Sequence, residues 1–388
     1  MTMQYPLSGV KVLDMSRVLA GPFAGRMLCD LGAEVVKVEP PARDVTRTLG
    51  RKVGTISGYF HQQNAGKQNI SVDLSSTEGT ALLTELVVST DILIENFRPG
   101  VMERLGLDWS RLKQINPALI MLSISGFGQD GPEAKRAAYA PVIHAETGAI
   151  SRQAERGGGR SVELCMSVAD TNAGLHGLVG ILAALHLRNS TGIGQHIDIS
   201  MVDSMLATDD QTQNYLEDSE NNTDGAEVWQ ATGGPIIIAA DVRFLWRQLT
   251  AVFGLQDPVP ADASLEVKIS KRRQAIVDFL TSFESRSDLV RALDKANFAW
   301  GNVNRSQDYL KTSETLKHRR SIASVADGQG ASRSVFQSPY RFSDALSGAR
   351  GGASHLGEHN REVISRWTGR SEKEIQELTE RGVLVSDV

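Results

Sequence analysis

The sequence predicts an α/β fold, with a parallel sheet in a large first domain and a smaller α/β domain after it. Three observations predict it. Short apolar runs alternate with longer helical segments from Val10 to Ser125, the spacing that covers both faces of a parallel sheet with helices. A long apolar segment, Ala173–Leu187, is followed by Ile197, Ile199 and Met201 alternating with His196, Asp198 and Ser200, the period-2 pattern of a half-buried strand. The composition then turns polar and acidic over Asp209–Glu227, around Asn221-Asn222-Thr223-Asp224-Gly225, which reads as a linker.

Taken in order, Val10–Asp14 reads as a strand, Phe23–Leu31 as a helix and Glu34–Glu39 as a second strand. The loop Met15–Pro22 then lies at the carboxyl end of the first strand, where α/β sheets take ligands. Glu39 stands where a dinucleotide fold holds a ribose. However, Arg17–Pro22 lacks G-x-G-x-x-G, and Pro22 has no N–H to face a pyrophosphate, so a nicotinamide or flavin site is excluded. In the polar loop Ala42–Ser57, Arg43, Arg47, Arg51 and Lys52 form a basic patch, read equally well as solvated surface or as a phosphate contact. Gln68–Leu74 is a strand, and Ser75 with Glu78 predicts a capping box for the helix Thr77–Val88. The strand Ile92–Glu95 delivers the loop Asn96–Gly100, followed by helices at Met102–Leu105 and Trp109–Ile115 and a strand at Leu119–Ser125. Val142–Ile150 is helix-like and carries His144, whose position favours a structural role over a catalytic one.

Val162–Val168 reads as a short strand leading to the apolar helix, which is expected to be buried on most sides. Gly174, Gly177 and Gly180 recur at a spacing of three, which admits a neighbouring backbone. Beyond the linker, Gly233-Gly234 precedes a strand at Pro235–Ala240 and helices at Val242–Phe253, Leu265–Phe283 and Leu289–Lys295. Strand-like alternation resumes at Ser334–Ser343, with helices at Arg361–Trp367 and Glu372–Glu380. The expected organisation is a large domain over 1–208, a small domain over 225–320, and a segment 321–388 that returns to the first.

Composition narrows the function. A net charge of −5 over 388 residues argues against nucleic-acid binding. Cys29 and Cys165 provide neither a disulfide framework nor a metal cluster, which fits a reducing, cytoplasmic compartment. Residues 1–6 show no secretion signal, and Ala173–Leu187 is too short and too glycine-interrupted for a membrane span. His355, Glu358 and His359 invite a metal reading, but Gly357 weakens a helix there and the spacing is not H-x-x-E-H.

Asp170 is the residue of chemical interest. At the mouth of a buried helix a carboxylate meets unpaired N–H groups and the positive end of the dipole, and position alone favours a simple N-cap. The surrounding residues change that reading. Val168-Ala169-Asp170, Ala173-Gly174-Leu175, Gly180–Leu185 and Thr191-Gly192-Ile193-Gly194-Gln195 together resemble the family III CoA-transferases. So do Ala20-Gly21-Pro22, Asn96–Gly100 with Arg104, Gly126–Pro132 with Arg136 and Tyr139, and Leu356–Asn360.

The resemblance implies a Rossmann-like large domain, an interlocked homodimer, and transfer of coenzyme A from an acyl-CoA donor to a small carboxylic acid. Asp170 would be the nucleophile, ionised with a pKa near the usual value of about 4. CoA contacts would come from Val18, Leu19, Ala20, Lys67, Asn96, Phe97, Arg98, Arg104, Arg136 and Tyr139. Arg98 and Arg104 suit phosphate oxygens, and Phe97 suits a ring. A glycine-rich loop of the small domain, with Gly233-Gly234 as the candidate, would close over the aspartate. No metal, nucleic acid or membrane is implied. The chain departs from the pattern at Ala140, where an acidic residue is common, and at Leu19, where some members carry a glutamine. Two alternatives follow: an acyl-CoA racemase of the same fold, whose histidine would fall at Tyr139, and a CoA-binding protein without turnover.

Overall fold

The computed structural model describes residues 3–53, 56–217, 225–326 and 331–387. Its contacts divide the chain into a large unit, Met1–Thr212 with Lys317–Val388, and a small unit, Gln213–Leu316.

The large unit begins β1 (Lys11–Asp14), α1 (Ala20–Asp30) and β2 (Glu34–Glu39), then a short hairpin of β3 (Lys52–Val53) and β4 (Ile56–Ser57). It continues through α2 (Gly58–Asn64), β5 (Gln68–Ser71), α3 (Thr77–Val88), β6 (Ile92–Glu95), α4 (Val101–Arg104), α5 (Trp109–Ile115) and β7 (Ile120–Ser125). After these come α6 (Ala140–Glu146), α7 (Ala149–Arg156), α8 (Val168–Thr191), β8 (His196–Ser200) and α9 (Met201–Thr208). Six strands form one parallel sheet in the order β5-β2-β1-β6-β7-β8. The chain steps outward from β1 to β2 and β5, then returns beside β1 with β6 and steps the other way. That reversal opens a crevice between the loops after β1 and β6, where sheets of this kind bind ligands.

The central strands are apolar throughout because both faces are covered. On one face α1 and α8 pack Ala24, Leu28, Leu178 and Ile181 over Val12, Ile94 and Leu122. On the other, α3 and α5 pack Leu82, Leu86 and Leu112 over Leu13, Val36 and Leu93.

The small unit has its own core around Ile236, Trp246, Leu249, Leu280 and Leu293. It comprises β9 (Glu227–Trp229), β10 (Ile236–Ile238), α10 (Val242–Phe253), α11 (Leu265–Thr281), α12 (Arg286–Lys295), β11 (Trp300–Asn302) and α13 (Ser306–Thr312), and α14 (Glu314–His318) follows. Its three strands are antiparallel, in the order β11-β10-β9. The glycines Gly233 and Gly234 both have positive φ, and Arg286 holds the flanking turn by donating to the carbonyls of Thr232 and Gly234. The returning segment adds the hairpin of β12 (Ile322–Ala326) and β13 (Ser332–Phe336), then α15 (Asn360–Thr368) and α16 (Glu372–Glu380). Val363, Ile364, Trp367, Ile375 and Leu378 on those two helices complete the second core of the large unit.

Several sequence expectations are corrected. Val162–Val168 alternates like a strand but forms none, because the segment runs exposed with no ladder partner. Instead α8 starts at Val168, N-capped by Ser167, and continues to Thr191. Nor is α8 buried on most sides: Leu175, Val179, Leu182 and Leu187 are exposed. It is the one helix among the described residues long and apolar enough to cross a membrane, and half of that stretch is buried. The N-cap of α3 is Ser76, which accepts from Gly79 N–H at 3.0 Å, while Ser75 is held by Asp73. The expected linker residues 218–224 lie outside the described residues.

Two glycines on α8 are required by close approach. A Cβ at Gly174 would stand 2.6 Å from the Ala20 carbonyl oxygen, and one at Gly177 would stand 2.8 Å from Leu122. The first contact draws the start of α8 against the start of α1, and that sets the site.

Candidate active site

A buried charge network supports the loop after β1. Asp14 ends that strand fully buried, and Lys67 Nζ lies 2.7 Å from its Oδ2. Burial pushes the Asp14 carboxyl up, but the charges of Lys67 and Lys37 and the hydrogen bonds from Lys67 and Ser16 outweigh it and leave it below the usual value. The Lys67 ammonium also donates to the Pro22 carbonyl at 2.8 Å and to Asn64 Oδ1 at 2.9 Å. All three donors are spent inside the protein, so the expected CoA contact at Lys67 is corrected to an internal support. Burial pulls its pKa down to about 8, even beside Asp14.

The loop itself is held under strain. Lys37 donates to the Ser16 carbonyl, and Val18 N–H donates to Asp44 Oδ2 at 3.2 Å. The Asn96 amide accepts from Arg17 N–H and donates to Arg17 C=O, each at 2.8 Å. Within this frame Val18 has φ +67°, a left-handed conformation that a β-branched residue adopts only when its surroundings impose it. Asn96 thus ties the loop after β6 to the loop after β1.

Between these loops lies a cleft of about 80 Å³. The structure brings Val18, Ala20, Asn96, Phe97, Arg98, Arg136, Tyr139 and Asp170 together around it, with Arg17 and Met201. Leu19 and Arg104 do not line it: Leu19 is buried at the N-cap of α1, and Arg104 is exposed at the end of α4. Arg136 sits at the rim, paired with Glu133 at 2.7 Å and with Glu146, its guanidinium 4.9 Å over the Phe127 ring. The basic loop proves to be partly internal. Arg47 is buried against Glu39 at 2.6 Å, and Arg43 pairs with Asp387 at 2.7 Å. Glu39 is also bonded to Asp44 N–H and Asn69, which leaves it no ribose to hold.

Asp170 occupies the third position of α8, inside the first turn rather than at the cap, and is 9% exposed. Its carboxylate lies close to the backbone N–H groups of Ala140 and Ala20, the first residues of α6 and α1. Burial raises its pKa to about 6, opposed chiefly by the nearby Ala140 N–H and also by the Ala20 N–H. This corrects the expected value near 4. At pH 7 the group is still about nine-tenths ionised, now in a site where donors and charges act strongly.

Three neighbours carried no sequence signal. Tyr59 lies close enough that burial, Asp170 and Asp44 together push its hydroxyl up to about 12. Ser125, at the end of β7, has a buried hydroxyl without a hydrogen-bond partner on the cleft wall. Glu95 accepts Phe97 N–H at 2.8 Å beneath the cleft, and its burial lifts the carboxyl to about 7. Ala140, where an acidic side chain was looked for, contributes through its backbone instead. Among the described residues no group of three or more His, Cys, Asp or Glu has the geometry to hold a metal. His359 Nδ1 accepts from Asn69 N–H, and Glu358 accepts from His355 N–H.

Residues 7–360 match the model of CoA-transferase family III. The chain belongs to that family. It is 30% identical to a formyl-CoA:oxalate CoA-transferase of Streptomyces coelicolor, over 97% of this chain and 99% of that protein. It is 31% identical to a succinate–glutarate CoA-transferase of Agrobacterium fabrum, over 93% of this chain and 95% of that one. A crystal structure of a CAIB/BAIF family protein from Brucella suis superposes with a TM-score of 0.79 at 32% identity, covering 94% of this chain and all of that one. As a CoA-transferase, the protein takes CoA as co-substrate, and the cleft at the β1/β6 switch point joins a carboxylate to cationic and aromatic groups.

Proposed function

We propose that the protein moves CoA from an acyl-CoA to a small free carboxylic acid through covalent intermediates on Asp170. The observation that carries this is a buried carboxylate on the cleft, with the backbone N–H groups of Ala20 and Ala140 close beside it. A structural cap would bond its own helix, whereas the N–H groups beside this side chain belong to two others.

In the first step an Asp170 oxygen attacks the thioester carbonyl, the C–S bond breaks, and CoA leaves as its thiolate, giving a mixed anhydride. The thiolate then attacks Asp170 Cγ, the anhydride C–O bond breaks, and the donor acid departs as a carboxylate. The acceptor carboxylate attacks the resulting aspartyl thioester and expels the thiolate. Finally the thiolate attacks the acceptor acyl carbon, releasing the new acyl-CoA and free Asp170. No net proton is consumed. Each tetrahedral step places negative charge on an oxygen near Asp170 Cγ, where the Ala20 and Ala140 N–H groups stand close by. Arg17, Arg98 and Arg136 on the cleft wall suit anionic substrates, consistent with relatives named for oxalate, succinate and glutarate.

Incubation with acyl-CoA and hydroxylamine should leave a hydroxamate on Asp170, read by peptide mass spectrometry. Turnover without any adduct at that residue would overturn the mechanism. A homodimer belongs to the same proposal: the exposed Leu175, Val179, Leu182 and Leu187 face of α8 is too apolar to remain in water. A monomer by light scattering would reject it. The free thiols Cys29 and Cys165 favour a cytoplasmic setting, which fractionation of the source cells would test.

A further inference from the structure

His144 is completely buried on α6, yet both ring nitrogens are engaged. Nε2 accepts the backbone N–H of Ala169 at 3.2 Å, and Nδ1 lies 3.2 Å from Glu163 Oε1. A ring nitrogen that accepts an N–H carries no proton, so the ring is the Nδ1–H tautomer and donates to Glu163. Ala169 is the residue immediately before Asp170, and its N–H is one of the donors that the start of a helix leaves unpaired. The N-cap Ser167 makes no side-chain bond to it or to any other. His144 therefore performs the capping from a different helix.

The arrangement has a second half. Ala140, one turn earlier on α6, presents its N–H close to the Asp170 carboxylate. Thus α6 grips adjacent residues of α8 at two points four residues apart, one through a side chain and one through the backbone. Losing the His144 contact would strand a buried N–H and free the first turn of α8 to rotate, carrying the carboxylate off its two donors.

We propose that His144, oriented by Glu163, is a positioning residue for Asp170, fixing the first turn of α8 so that the carboxylate meets the Ala20 and Ala140 N–H groups. The inference rests on Asp170 being the nucleophile. His144 does not line the cleft, so it acts through Asp170 rather than on substrate.

The test compares His144→Leu, His144→Gln and Asp170→Asn in the full-length protein, with steady-state kinetics, the rate of hydroxamate formation at residue 170, and thermal melts. In His144→Leu, kcat and the trapping rate should fall about 10- to 100-fold, the scale expected for a slightly misplaced reacting group, with KM for acyl-CoA within about twofold of wild type. The Gln amide offers an oxygen to Ala169 N–H, and His144→Gln should recover most of the lost kcat. A Leu variant with wild-type kcat overturns the inference, as do Leu and Gln variants that lose activity equally and in step with melting temperature. Asp170→Asn separates the two ideas: if it is inactive while His144→Leu is normal, only the positioning role fails. If Asp170→Asn turns over normally, the nucleophile reading itself fails.

Discussion

Replacing Asp170 with Asn should end transfer and at the same time stabilise the fold at neutral pH. The side chain is buried on a cleft floor, and burial raises its pKa from 3.8 to about 6. A rise of roughly two units is equivalent to about 3 kcal/mol of differential free energy between the two protonation states. The sign follows from proton binding. Because the folded state holds this proton more tightly than the unfolded chain, the group costs nothing below about pH 4. Its cost grows as pH rises from about 4 to 6 and is complete above that. Asn carries no charge to desolvate, and its amide oxygen still accepts from Ala20 or Ala140, so the variant should gain up to about 3 kcal/mol at pH 7.5. The gain should shrink towards zero as the pH approaches 4. Urea unfolding of both proteins at pH 7.5, 6 and 4.5 measures it. An Asn variant no more stable than wild type at pH 7.5, or a gain that does not narrow on acidification, would refute the reasoning.

Other outcomes follow from the same geometry. The profile of kcat/KM against pH should fall on the acid side with an apparent pKa of about 6, because the proposed nucleophile is lost on protonation; a limb near 4 would contradict the burial argument. Lys67→Met should leave KM for acyl-CoA unchanged while destabilising the large unit by about 3–5 kcal/mol, since Asp14 is left buried without its partner. A raised KM with normal stability would return Lys67 to the ligand. Gly174→Ala should cost about 1–3 kcal/mol and reduce kcat, because its Cβ would meet the Ala20 carbonyl oxygen at 2.6 Å and move a donor of Asp170; melting and initial-rate assays read both effects.

Much of this was legible in the chain. The strands Glu34–Glu39 and Ile92–Glu95 and the helices Thr77–Val88, Trp109–Ile115, Val242–Phe253 and Glu372–Glu380 have the bounds their patterns indicate. Their apolar periods match the faces they bury, and local turn residues stop them. Val162–Val168 misled because alternation records only which side chains are apolar, not whether a neighbouring strand offers its hydrogen bonds. Lys67 misled for a related reason. The family resemblance placed it on CoA, and nothing local shows that Asp14, fifty-three residues earlier, accepts a hydrogen bond from it.

The sequence by itself determined the class of fold and the family resemblance and singled out the proposed nucleophile, since each depends on residue types in local order. Only the tertiary structure decided how that carboxylate is held. The main-chain N–H groups of Ala20 and Ala140 lie beside it, and a backbone N–H leaves no mark in the choice of side chain. The same holds for the Ala169 N–H that His144 accepts. Burial, which moves Asp170 from a fully ionised acid to one that titrates near pH 6, is a property of packed neighbours and exists only once α1, α6 and α8 have met.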